Sequence, residues 1–174
     1  MKKILIIFIN IMTVSIQAQI VIGKDTVSSS SVSLEFGDTE NRGFILPYVE
    51  NKSGITVEGT IIYDTSDYKV KYLRNGGIWV NMSEDDGTPG TIGEVDLSIQ
   101  TSKTEELTAK VGIGTPTSID GILVLEDTNK AMVLPKVNKP HLNIINPAAG
   151  MIVYDIDSKM LAVYNGIAWT FWEP

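Results

Sequence analysis

The chain has 174 residues, a formal charge of −7 and no cysteine. Its acidic balance argues against nucleic acid and anionic lipid as partners, because holding phosphates takes clustered cations and no run of Lys or Arg follows Lys3. The lack of cysteine excludes disulfides, thiol nucleophiles and thiolate metal sites together.

The first segment reads MKKILIIFINIMTVSIQAQ. Lys2 and Lys3 form a positive n-region, Ile4 to Ile16 an apolar run broken only by Asn10, Thr13 and Ser15, and Ala18 a small residue at the cleavage point. This is the pattern of a secretory signal peptide over residues 1–18, and the run falls short of the ~20 apolar residues that span a bilayer. The expected protein is exported, to the cell surface, the extracellular space or the periplasm, with no transmembrane segment in the mature chain. Losing the leader removes Lys2 and Lys3 and takes the formal charge from −7 to −9.

From residue 19 to 82, short runs rich in Val, Ile, Tyr and Thr are separated by Gly, Asn, Asp and Ser, which predicts strands and turns rather than helices. IVIGKDT (20–26), VSLEF (32–36) and GFILP (43–47) come first. GTIIYD (59–64) reads as a strand entered through Gly59 and closed by Asp64, whose carboxylate accepts from the amide two residues on and starts a turn. KVKYLR (69–74) returns, Asn75-Gly76 makes a tight turn tolerant of positive φ, and IWVNM (78–82) completes a three-stranded antiparallel meander.

Residues 83–110 read as an acidic, Gly/Pro-rich linker. Within it EVDLSIQ alternates Val95, Leu97 and Ile99 against polar neighbours and predicts a short strand with one wet face.

Residues 111–174 repeat the first blocks in order. VGIGTPT (111–117) matches IVIGKDT, LVLED (123–127) matches VSLEF, and AMVLP (131–135) matches GFILP. Gly150, Ile152, Tyr154 and Asp155 match Gly59, Ile61, Tyr63 and Asp64, and Asn165, Gly166 and Trp169 match Asn75, Gly76 and Trp79. The fold class expected is all-β, two tandem copies (19–82 and 111–174) of a small antiparallel β-meander module. KVNKPHLNIINPAAG (136–150) is the one helical stretch, with Pro140 in its first turn, Leu142, Ile144 and Ile145 facing inward, and Asn146-Pro147 stopping it. Strands such as MIVYD are apolar on both faces, the signature of burial on both sides. A short meander cannot cover itself twice, so its second face is expected to meet the other copy, another subunit, or both.

No chemistry-bearing constellation emerges. His141, the single histidine, has no Ser or Asp at a motif spacing. Asp64 with Asp67, Asp155 with Asp157, and the run Glu84, Asp85, Asp86 offer oxygens to a hard cation, yet none completes a calcium-loop motif, and YDTSD and YDIDS read more simply as hairpin turns. Catalytic residues, cofactors and metal ligands are therefore all expected to be none. Gly59, Tyr63, Asp64, Trp79, Gly150, Tyr154, Asp155 and Trp169 are read as structural repeat residues, the aromatic ones packing each module's core. Trp172, near the C-terminus and without a counterpart in the first copy, is the candidate ligand contact.

The blocks AQIVIG after the leader, GIGT, LVLEDTNKAMVLPKV and INPAAGMIVYDIDSKMLAVYNGIAW resemble the repeat of secreted surface proteins of Bacteroidota, where it accompanies tail-fibre-like, oligomeric β architecture. The resemblance covers nearly all of the second copy and more loosely the first, where GKDT replaces GIGT. It implies a structural or adhesive surface module that self-associates as a homo-oligomer, with a trimer as the candidate order and surface glycans or other envelope proteins as further candidate partners. The rival reading is a monomeric carbohydrate-binding module using exposed aromatics.

Overall fold

The computed structural model describes residues 19–84, 95–104, 106, 108–114 and 118–173. The leader (1–18), Asp85, Asp86 and Thr115 of GIGT lie outside the described residues. The fold is nearly all β. β1 (Ile20–Ile22) and β2 (Val32–Phe36) pair in parallel, followed by the short β3 (Phe44–Ile45) and β4 (Tyr48–Val49). β5 (Ile61–Asp64), β6 (Lys69–Arg74) and β7 (Ile78–Asn81) form the first antiparallel meander, with β4 added in parallel to β5. After the single turn α1 (Ser98–Thr101), β8 (Val111–Gly114) and β9 (Leu123–Glu126) pair in parallel. β10 (Ala131–Val133), β11 (Lys136–Val137) and the one-turn α2 (Pro140–Asn143) lead to the second meander, β12 (Met151–Asp155), β13 (Met160–Tyr164) and β14 (Trp169–Trp172), with β11 parallel to β12.

Corresponding positions of the two meanders make the same bonds. Gly59 and Gly150 both sit at positive φ, +82° and +74°, and their amides donate to Leu73 O and Tyr164 O, each at 2.8 Å. Tyr63 N donates to Pro47 O and Tyr154 N to Pro135 O, both at 2.9 Å. At the far end Asp64 Oδ1 accepts from Ser66 N (3.0 Å) and Asp155 Oδ1 from Asp157 N (2.9 Å), the two-residue reach that starts each turn.

The two segments interlock rather than sit in line. β3 leaves the first segment and pairs antiparallel with β12, while β10 leaves the second and pairs parallel with β2. One core cluster draws Leu46, Tyr63 and Val70 from the first segment and Ala149, Ile152 and Val163 from the second. A second cluster, of Val137, Ile144, Met151, Val153 and Ala162, lies on the opposite face of β12 and β13. The doubly apolar reading of MIVYD is thus satisfied inside one chain: Ile152 turns toward the first segment, while Met151 and Val153 turn toward the stretch around α2. That pattern alone does not demand another subunit.

Two expectations are corrected. EVDLSIQ is not a strand: residues 95–97 are irregular and Ser98–Thr101 form α1. Asp96 Oδ1 accepts from Ser98 N at 2.9 Å and the amides of Gln100 and Thr101 donate to Leu97 O, a local side-chain bond that turns the chain before any ladder partner is met. Around α2, Pro140 does occupy the first turn and Ile144 is buried, but Leu142 and Ile145 are 67% and 85% exposed. The helix stops at Asn143 and Ile144 is extended (φ −92°, ψ 112°), so a helical face never forms to carry three residues inward.

Gly150 needs its glycine twice over, since its φ is positive and an added Cβ would lie 3.0 Å from Tyr63 Cβ, whereas at Gly59 the same atom meets nothing within 4 Å. Gly59→Ala is predicted to cost only the left-handed strain, about 1–2 kcal/mol. Gly150→Ala is predicted to cost distinctly more, because it also parts the two segments at their shared core; urea denaturation of both variants measures the difference.

Candidate interaction surface

The turn carboxylates Asp64 and Asp155 are both buried, and each is compensated differently. Burial opposes the charge on Asp64, but Lys52 Nζ at 2.6 Å, Lys71 Nζ at 2.8 Å and the Ser66 hydroxyl at 2.6 Å outweigh it and hold its carboxyl well below the usual range. Lys71, also buried, bonds Asp67 as well, and its ammonium is held above its ordinary pKa by the two acids against the effect of burial. On the second meander Ala162 pairs opposite Val153 where Lys71 pairs opposite Ile62, so no lysine reaches Asp155 from that strand. Burial again opposes the charge, and Ser158 Oγ (2.8 Å), Asp157 N (2.9 Å) and Lys139 N (3.1 Å) lower the Asp155 pKa through neutral donors. The turns at Asp64 and Asp155 are thus occupied by the chain's own donors. Among the described residues no group of three or more His, Asp or Glu side chains is placed to hold a metal ion.

His141, exposed, sets its ring edge against Phe171 with centroids 5.7 Å apart, beside a shallow, open depression bordered by Lys139, Leu142, Asp157 and Met160. Among the described residues no second proton-transfer group is bonded to it.

The aromatic repeat residues divide. Tyr63 is fully buried, and its hydroxyl donates to Asn165 O of the second meander at 2.8 Å; burial pushes its phenol pKa well up. Tyr154, Trp79 and Trp169 are only half-buried, Trp169 stacking at a tilt on Tyr164 (5.2 Å). Trp172 is 41% exposed, but its indole Nε1 donates to Met82 O at 2.6 Å, tying it to the end of the first meander.

Sequence reading missed Asn165 as a knot between the segments. Its Oδ1 accepts from Ile167 N (2.9 Å) and Ala168 N (2.8 Å), its Nδ2 donates to Glu84 O (2.9 Å) and its carbonyl receives Tyr63. Asn75, the equivalent turn residue, is exposed. The chain alone carries no signal that separates the two asparagines. Lys52 and Lys71 were missed too, although the replacement of Lys71 by an alanine in the matching strand was a visible cue.

The outward apolar side chains form the remaining surface of interest. Ile22 on β1, Val111 on β8 and Ile122 just before β9 are 52%, 55% and 67% exposed. Ile78 on β7 (48%) and Leu142 (67%) and Ile145 (85%) around α2 are exposed as well, so outward apolar side chains occur on the parallel pairs, on the first meander and around α2.

Among known proteins, residues 111–173 match a family model described as a phage tail like trimerisation region, which takes in β8 through β14 but less than half of the chain. No curated protein and no solved structure matches the chain.

The ion cluster makes a testable contribution to stability. Asp64 has its folded pKa below the unfolded value of about 3.9, so its stabilisation is complete above that pH and is lost as pH falls through the lower folded value. Lys71 has its folded pKa above about 10.4, so its share is complete below that and lost as pH rises through the higher one. Asp64→Asn is expected to cost about 3 kcal/mol at neutral pH, because Lys71 is left buried with one partner fewer, and to flatten the acid limb of the stability curve. Asp155→Asn, whose donors are neutral, is expected to cost about 1–2 kcal/mol, both read from denaturant unfolding across pH.

Proposed function

We propose that this is an exported structural protein of the cell surface that works by associating with further copies of itself, as a trimer, through two copies of one β-module. The observation that carries this reading is the match of residues 111–173 to a phage tail like trimerisation region. Export rests on the leader pattern of residues 1–18, and an adhesive role on the resemblance to secreted surface repeats; both are parts of the proposal. The chemistry of the site favours architecture over catalysis, because Asp64 is paired with the chain's own lysines and Asp155 is hydrogen-bonded by its own serine and amides. The rival sugar-binding reading needs an exposed aromatic platform, whereas Tyr63 is buried, Trp169 stacks on Tyr164 and Trp172 anchors to Met82.

Light scattering on the purified chain is expected to give a particle of three chains, and a monomer at every concentration would contradict the proposal. In the cell that makes it, the protein is expected outside the cytoplasm with Gln19 as its first residue by mass spectrometry. An intact Met1 in the cytoplasm would remove the export half.

A further inference from the structure

Each linking strand crosses away from the meander it precedes. Pro47 O and Pro135 O accept from Tyr63 N and Tyr154 N, so each segment joins its own meander from the proline onward. Upstream of Pro47, β3 docks on the second meander, with Phe44 opposite Ile152, Ile45 opposite Met151, and Leu46 N donating to Gly150 O at 3.1 Å. Upstream of Pro135, β10 goes elsewhere: it lies parallel on β2, with Ala131 N donating to Ser31 O at 2.9 Å. The exchange is one-way.

Among the described residues the acceptor edge of the first meander is therefore open. Among the described residues β5 pairs with β6 along its length and with β4 only at Tyr63 and Asp64. Leu73 N donates to Thr60 O, which turns Thr60 toward β6, while Tyr63 N turns toward β4. Amides and carbonyls alternate sides along a strand, so Ile61 points with Tyr63, into the unpaired stretch of that edge. The donor is open as well. Ala131 turns its amide to β2; the register shifts between Ala131 and Met132, but the extra residue, Ser33, is on β2, so β10 keeps its own alternation and Met132 and Leu134 turn their amides the other way, where no strand pairs with β10 among the described residues.

We propose that the Gly59–Ile61 edge receives Met132–Leu134 of a second copy of this chain. The register is the one β3 adopts on β12: Met132 opposite Ile61, and Leu134 N donating to Gly59 O. The chain displays this joint once internally, and the same sequence positions supply both unfilled halves. Main-chain bonds give such an added strand its affinity, and an open edge is the template for it. The donor lies within residues 111–173, the stretch matching the trimerisation region. The contact is head-to-tail, joining one patch to a different one, so repetition closes into a ring when the rotation permits, here of three chains. This inference rests on the self-association reading above.

The chain has no cysteine, which leaves a clean background for cross-linking. Residues facing each other in an antiparallel pair have Cα atoms about 4.5–5.5 Å apart, within disulfide range. Chains carrying Ile61→Cys are mixed with chains carrying Met132→Cys and oxidised, with Ile61→Cys plus Leu142→Cys as the control pair. A covalent heterodimer formed by the first mixture and not by the control is the expected result. An assembled particle that yields no such cross-link sinks the proposed edge and leaves self-association standing, whereas a monomeric wild-type chain sinks both. Should either variant fail to fold, amide exchange on the unaltered protein decides: Ile61 and Leu134 amides are expected to become protected as the chains assemble, and fast exchange in the assembled particle overturns the inference.

Discussion

Everything in this fold turns on a contact between two residues about ninety positions apart, the ring of Tyr63 lying against the backbone of Gly150. Only glycine allows that approach, since its φ of +74° disfavours a side chain and a Cβ would press on the tyrosine at 3.0 Å. With the backbone that close, the Tyr63 hydroxyl reaches Asn165 O, Tyr48 reaches Ala149 O, and Ile152 and Val163 complete the cluster with Leu46 and Val70. Two meanders, each too small to bury a core of its own, become one structure through it.

The shared core also explains why the charged groups sit where they do. With the face of β5 bearing Tyr63 committed to the second segment, the opposite face carries Ile62, Asp64, Lys71 and Leu73, all buried. A carboxylate there needs compensation, and Lys52 and Lys71 provide it. In the second meander Val153 and Ala162 occupy the corresponding ladder positions and pack with Val137 and Ile144, so Asp155 is served by backbone and serine instead.

Much of this was legible in the residues. GTIIYD and GMIVYD announced strands entered through glycine and closed by an aspartate turn, because those steps depend on local chemistry alone. EVDLSIQ misled because alternation does not reveal that Asp96 will bond Ser98 N first. Leu142 and Ile145 misled because a four-residue helix presents no periodic face. The destinations of β3 and β10 were not legible at all: FIL and MVL are alike in pattern, and only the packing of the two segments decides that one joins β12 and the other β2. Doubly apolar strands were read as a need for company, and much of that company proves to be the rest of the same chain.

Both meanders hang on one core and therefore rise and fall together. Native-state amide exchange of Val70 in β6 and Val163 in β13, both fully buried within that cluster, tests it directly. The two amides are expected to open with the same free energy and the same denaturant dependence, as members of one cooperative unit. If one strand opened at markedly lower free energy while the other stayed protected, the meanders would be independent and the shared core would not be what holds the fold.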